Sequence, residues 1–152
     1  MKSSLILVAD DDENDVMLLR RAFSRAAISN PLEVVTDGAA ALAYLQGEGI
    51  YNDRLQYPLP CLLLLDIKMP KKTGFEVLSW IRQDSNLKRM LVVMMSASTQ
   101  MGDINQSYDL GANSYLVKPH DFQTLVELAK TLQHYWISLN QSPEIQPEVI
   151  VA

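Results

Sequence analysis

Five short apolar runs mark the chain: LILVA (5–9), LEVVT (32–36), CLLLL (61–65), MLVVMM (90–95) and SYLV (114–117). The segments between them are long enough for helices, and this alternation predicts a parallel sheet covered on both faces. In ENDVMLLRRAFSRAA, residues Val16, Leu19, Phe23 and Ala26 recur at helical spacing, and acids fill the first turn, where the helix dipole favours them. GFEVLSWIRQD (74–84) sets Phe75, Leu78 and Ile81 on one face. Weaker periodicity predicts helices over 38–46 and about 100–110. The last helix is DFQTLVELAKTLQHYWISL, with Asp121 as its N-cap. The predicted fold class is α/β, a (βα)5 doubly wound five-stranded parallel sheet.

Burial decides the strand order. A parallel strand covered on both faces reads as a continuous apolar run, and the first, third and fourth runs do so. The second carries Glu33 and ends in Thr36, and the fifth is short, with Ser114 and Tyr115, so both belong at edges. The order 2-1-3-4-5 satisfies this.

Two stretches break the regular alternation. GEGIYNDRLQYPLP (47–60) is a long connection, read as a surface loop with its two Tyr packed down. Beyond residue 139 the chain runs NQSPEIQPEVIVA, where Pro143 and Pro147 end the helix. The reading is one domain over 3–139 and a flexible tail over 140–152, whose apolar end, Val149 to Ala152, is either docked or loose.

Composition narrows the function classes. A chain of 152 residues suits one domain. Thirteen basic against 18 acidic residues leave a net charge of −5, which disfavours nucleic acid or an anionic membrane as the main partner. One cysteine permits no disulfide framework and no cysteine-based zinc site, so Cys61 reads as a small core residue. The N-terminus lacks a signal-peptide pattern and no segment approaches the roughly 18 apolar residues of a membrane span, so a cytoplasmic location is expected.

The candidate chemistry sits at the strand ends. Ligands of open α/β sheets bind beyond the carboxyl ends of the strands. There the chain places Asp10, Asp11 and Asp12 after the first strand, Asp66 after the third, Ser96 after the fourth, and Lys118 followed by Pro119 after the fifth. Converging carboxylates repel unless a cation compensates, and an all-oxygen donor set selects a hard ion such as Mg²⁺. Lys118 and Ser96 add a positive charge and a hydroxyl that can hold a phosphoryl group. Asp66, between metal and lysine, is the candidate nucleophile for phosphoryl transfer.

These pieces carry a resemblance. ILVADDDENDV, LLLLDIKMPKKTGFEVL, MMSAST and GANSYLVKPHD, in that order and at those strand ends, resemble the receiver domain of two-component response regulators over residues 3 to about 138. The resemblance implies a flavodoxin-like, CheY-like fold and a free-standing response regulator. It implies that Asp66 accepts a phosphoryl group from a sensor histidine kinase or a histidine phosphotransfer protein. It also implies that Asp11 binds Mg²⁺ directly, that Asp10 helps through water, and that the backbone carbonyl of Lys68 completes the protein ligands. Ser96 and Lys118 match the positions that contact the phosphoryl group, and Tyr115 matches an aromatic switch. Phosphorylation is then expected to reshape the face of the fourth helix, fifth strand and fifth helix, which partners read and through which a homodimer would form. The long 47–60 connection resembles the subgroup that accompanies phytochrome-type sensors. Because the chemistry consumes its own side chain, the chain reads as a signalling module and not an enzyme.

Other readings stand beside these. A haloacid-dehalogenase-like phosphatase needs a second Asp two residues after the nucleophile, where this chain has Lys68. A degenerate receiver would keep the fold as a phosphorylation-independent interaction module, yet all the site positions hold competent residues. A flavin or nucleotide site would place Gly-rich or hydroxyl-rich loops after the first strand, not acids. Asp12, Glu13 and Asp15 read as a helix N-terminus, Lys71 and Lys72 as a solvated loop, His120 and His134 as surface residues. Met94 and Met95 read as core fillers. Trp80 is expected in or beside the third helix, and Tyr135 and Trp136 either cover the core or mark a partner face.

Overall fold

The structure, a computed structural model, describes residues 3–145. Five strands, β1 (Ile6–Ala9), β2 (Leu32–Val35), β3 (Leu62–Leu65), β4 (Val92–Ser96) and β5 (Ser114–Val117), alternate with helices α1 (Glu13–Arg25), α2 (Gly38–Gln46), α3 (Gly74–Gln83), α4 (Met101–Asp109) and α5 (Phe122–Leu132). All four strand pairings are parallel, and the order is β2-β1-β3-β4-β5. The flavodoxin-like arrangement expected from the apolar runs is the one observed. Every residue of β1, β3 and β4 is buried, whereas β2 and β5 are mostly half-buried, as edge strands are.

Strand alternation divides the core in two. Leu7, Leu63, Leu65, Val92 and Met94 pack with Tyr44, Val77, Leu78 and Ile81 of α2 and α3. Ile6, Val8, Leu64, Val93 and Met95 pack with Leu19, Phe23, Leu125 and Val126 of α1 and α5 on the other face. Each fully buried Leu or Ile contributes about 1.5–3 kcal/mol of transfer free energy, so this core explains why the chain needs no disulfide. Cys61 is half-buried against the second cluster, Trp80 packs on the first from within α3, and no helix among the described residues is long and apolar enough to cross a membrane.

Helix ends follow local chemistry. Asp12, Asp37, Thr73 and Asp121 cap α1, α2, α3 and α5, and Thr73 with Glu76 forms a capping box. The fourth run begins its strand two residues later than its apolar pattern suggests, because the Met90 N–H closes a turn onto Leu87 O. Ser96, expected just after this strand, is its last residue. The final helix does not continue as one α-helix: it widens to a π-helical segment over Gln133–Leu139. With i→i+5 spacing, Trp136 and Ile137 both follow Leu132 onto the second core cluster, while Tyr135 stays exposed.

The 47–60 connection is an ordered structure in its own right. A 3₁₀ turn spans Gly49–Asn52, and Tyr51 and Tyr57 pack on the buried ring of Tyr44 with centroid distances of 4.9 and 6.0 Å. Arg54 donates to Tyr44 O and Leu45 O, both at 2.8 Å, and to Tyr57 O at 3.1 Å. It thereby satisfies carbonyls left open at the end of α2. Past residue 139 the described chain has no helix or strand, and Ile145 packs against the first core cluster. Val149 to Ala152 lie outside the described residues.

Candidate functional site

The strand ends bring four acids and one lysine together. Asp10 and Asp66, just past β1 and β3, are buried, at 7% and 8% exposure, while Asp11 beside them is exposed. One carboxylate oxygen from each of Asp10, Asp11 and Asp66 lies within 4.8 Å of the others. Lys118, just past β5, sets its Nζ 2.8 Å from Asp10 Oδ2 and 2.9 Å from Asp66 Oδ2. A third carboxylate, Asp15 Oδ2, reaches the same nitrogen at 2.7 Å. Asp10, Asp15, Asp66 and Lys118 line a cavity of about 40 Å³ together with Leu19, Leu64 and Met95.

Backbone contacts fix the acids. Ile67 N–H donates to Asp66 Oδ1 at 2.7 Å, so the Asp66 carboxylate is held between a backbone amide on one oxygen and an ammonium on the other. Asp12 N–H donates to Asp10 Oδ1 at 3.0 Å. Behind Asp66 the chain turns back tightly: Gly74 N–H bonds Ile67 O at 2.8 Å, and a Cβ on Gly74 would stand 2.0 Å from Asp66 O. Gly38 is as close to Lys72 O. Both glycines are therefore demanded by close backbone approach, and they clamp the Lys68–Thr73 loop from two sides. Lys71 pairs with Asp37 at 3.5 Å and Lys72 with Glu76 at 4.0 Å, both on the surface.

Electrostatics follow from burial and charge. Burial raises the Asp10 pKa above the ordinary carboxylate value, opposed by the Lys118 ammonium and the Asp12 N–H. Burial also disfavours the Lys118 ammonium, but hydrogen bonds to Asp10, Asp15 and Asp66 outweigh it and raise the lysine pKa. The lysine is thus a permanent cation, and one cation faces several carboxylates. That surplus of negative charge on hard oxygen donors, with Asp11 open to solvent, suits a small divalent ion of the Mg²⁺ class.

The other expected residues take separate places. Ser96 is buried, and its Oγ accepts the Ser98 N–H at 3.1 Å. Tyr115, in β5, donates its hydroxyl to Ser98 O at 2.9 Å. Ser98 Oγ in turn donates to Asp103 Oδ2 at 2.5 Å, so β5, the β4–α4 loop and the start of α4 are tied together. The Lys68 and His120 side chains are exposed. Two residues escaped the sequence reading. Asp15 was readable only as a helix-dipole acid, although its spacing to the buried Leu19 and Ala22 places it toward the inward face of α1. Ser98 carried no signal, because its role depends on a carbonyl as well as a hydroxyl.

Comparison with known proteins agrees with this geometry. The family model for the response regulator receiver domain matches residues 6–130. The chain is 37% identical over 139 residues to the probable methanogenesis regulatory protein FilR2 of Methanothrix harundinacea, covering 91% of this chain and 87% of that one. It is 35% identical over 133 residues to response regulator Rcp1 of Synechocystis sp., covering 88% of each. The Mn²⁺-bound form of Rcp1 matches with a TM-score of 0.82 at 34% identity, over 92% of this chain and 99% of that one. The phosphorylated cyanobacterial phytochrome response regulator RcpA matches with a TM-score of 0.86 at 35% identity, over 94% of this chain and all of that one. The likeness to phytochrome response regulators suggested by the long connection is borne out. The match takes in all five strands and every residue of the pocket, and the chain belongs to the response regulator receiver domain family.

Proposed function

We propose that Asp66 is the phosphoacceptor of a phosphorelay, taking its phosphoryl group from a phosphohistidine of a sensor histidine kinase or histidine phosphotransfer protein. The observation that carries this is the setting of Asp66: a buried carboxylate in an acidic cluster, with Lys118 Nζ 2.9 Å from one oxygen. An Asp66 oxygen forms the O–P bond as the N–P bond of the donor breaks and the imidazole leaves with the electron pair. Lys118 lies where it can neutralise charge developing on the phosphoryl oxygens, and Ser96 at the end of β4 offers a hydroxyl. Asp10, Asp11 and Asp66, with the backbone carbonyl of Lys68, would hold Mg²⁺, which when bound neutralises phosphoryl charge as a Lewis acid. Manganese in Rcp1 supports an acidic pocket of this kind.

The output runs through Tyr115. When Lys118 and Ser96 turn to the phosphoryl group, the loop after β4 shifts, the hydroxyl bond to Ser98 O is lost, and the α4-β5-α5 face changes. Met101, Tyr108 and Val117 on α4 and β5 are already exposed apolar surface there, at 64%, 50% and 39%. Partners read that face, and a homodimer through it is open to test by light scattering with and without beryllofluoride; a monomer in both states removes it. Asp66 itself is modified, so the protein is a cytoplasmic signalling module and not an enzyme, with residues 3–139 as its folded unit. Neither nucleic acid nor membrane is a partner of this acidic surface.

Intact-mass spectrometry after incubation with acetyl phosphate, with and without Mg²⁺, tests the reading. The expected result is one added phosphoryl group on the wild type, only with Mg²⁺, and none on Asp66→Asn. No gain on the wild type, even with rapid quenching, would make the chain a phosphorylation-independent interaction module.

A further inference from the structure

Three carboxylates hold Lys118, and only two of them belong to the phosphoacceptor machinery proposed above. Asp15 makes the shortest of the three bridges, 2.7 Å against 2.8 Å for Asp10 and 2.9 Å for Asp66. It also comes from a different element. Asp10 and Asp66 follow strands, whereas Asp15 lies in the first turn of α1. Its position there is fixed by the backbone: Asp12 Oδ1 accepts the N–H groups of Asn14 and Asp15 at 2.9 and 3.1 Å, and the Asp12 N–H is itself held by Asp10 Oδ1 at 3.0 Å. A closed ring therefore runs from Asp10 through Asp12 and Asp15 to Lys118 and back to Asp10 Oδ2.

The carboxylates grouped to hold a cation are Asp10, Asp11 and Asp66. A divalent ion held by this group would compete with the ammonium for the negative charge of Asp10 and Asp66, and so would weaken both of those bridges. Asp15 is the partner that stays. We infer that Asp15 is a positioning residue of the phosphorylation site: it keeps the Lys118 ammonium aimed across the strand ends at Asp66 while the other two carboxylates serve the metal. A lysine side chain is otherwise long and mobile. Confining it before the donor arrives removes an ordering step from the reaction. The Asp15 side chain is 38% exposed against 9% and 11% for Asp10 and Asp66, so it is also the partner that can follow Lys118 with least disturbance of the core.

This inference rests on Asp66 being the phosphoacceptor, and the test separates the two. Asp15→Ala, the isosteric Asp15→Asn and the charge-conserving Asp15→Glu are made in the full chain. Three quantities are read: the maximal phosphorylation rate with acetyl phosphate at saturating Mg²⁺, the Mg²⁺ dissociation constant by calorimetry, and the ¹⁵N signal of Lys118 Nζ with and without Mg²⁺. Asp15→Ala is expected to lower the maximal rate about tenfold and to move the Lys118 signal of the Mg²⁺-bound protein toward that of a free lysine, with the Mg²⁺ dissociation constant within about threefold of wild type. Asp15→Asn should fall between, and Asp15→Glu should recover most of the rate. If Asp15→Ala does not fold, Asp15→Asn carries the comparison. An unchanged rate with an unchanged Lys118 signal overturns the inference, as does a faster rate, or a loss of Mg²⁺ affinity as large as the loss of rate. A wild type that takes no phosphoryl group overturns the phosphoacceptor reading instead, and the Lys118 signal still reports whether Asp15 holds the lysine.

Discussion

Replacing Gly74 by alanine pits two effects against each other. Gly74 opens α3, and at an unobstructed helical position alanine is more stable than glycine by about 0.5–1 kcal/mol. Here the added Cβ would stand 2.0 Å from Asp66 O, 2.9 Å from Asp66 C and 3.0 Å from Ile67 Cα, where an ordinary contact needs 3.4 Å or more. All three neighbours are backbone, so no side chain can swing aside. The loop must retreat by more than 1 Å, which breaks the 2.8 Å bond from Gly74 N–H to Ile67 O and carries Asp66 with it. Overpacking of this kind costs about 1–3 kcal/mol and the lost buried hydrogen bond about 1 kcal/mol; less the helix gain, Gly74→Ala is expected to destabilise by roughly 1–3.5 kcal/mol. Misplacing a reacting group by about 1 Å costs on the order of a hundredfold in rate. Urea unfolding gives the first quantity, and the rate of phosphorylation by acetyl phosphate, monitored by mass, gives the second. A variant as stable as wild type or more so, phosphorylated at the wild-type rate, would refute the argument that close approach and not chance puts glycine here.

Other expectations follow from the same geometry. Asp11→Ala should abolish Mg²⁺-dependent phosphorylation and leave the fold intact, since Asp11 is exposed; circular dichroism and intact mass check both halves, and unchanged phosphorylation would mean a wrong metal ligand. The buried Tyr44 hydroxyl donates to Pro58 O at 2.8 Å, and burial, aided by Glu33, pushes its pKa up to about 12. The unfolded tyrosine ionises near 10 and the folded one near 12, so stability should be full below pH 10 and fall between 10 and 12, by up to roughly 3 kcal/mol. Tyr44→Phe should lose about 1 kcal/mol at neutral pH and flatten the alkaline fall, as denaturation at several pH values would show. Arg54→Ala removes three hydrogen bonds to carbonyls of α2 and the 47–60 connection and should cost about 2 kcal/mol. Hydrogen exchange should then speed up in residues 47–60 first, and uniform exchange would contradict the clamp.

What the sequence by itself determined is the fold and the place of its chemistry. Continuous apolar runs in the first, third and fourth strands can be buried on both faces only at the centre of a parallel sheet, and Glu33 and Ser114 mark the edges. The order 2-1-3-4-5 satisfies this, and it gathers Asp10, Asp66, Ser96 and Lys118 at one end. The signal is local, because period and composition act over a few residues. Contacts between distant segments left no such trace. Asp15 looks like any acid at a helix N-terminus until the fold brings its carboxylate to Lys118, 103 residues away in the chain. Gly38 and Gly74 look like ordinary helix-opening residues until two backbones are found to pass within the radius of a methyl group. Ser98 becomes a junction only because its carbonyl, which every residue has, faces Tyr115. Trp136 and Tyr135 are adjacent in sequence and equally aromatic, and the widened π-helical turn sets the first, half-buried, against the core and leaves the second in solvent. Those features depend on distance in space, and the tertiary structure alone decides them.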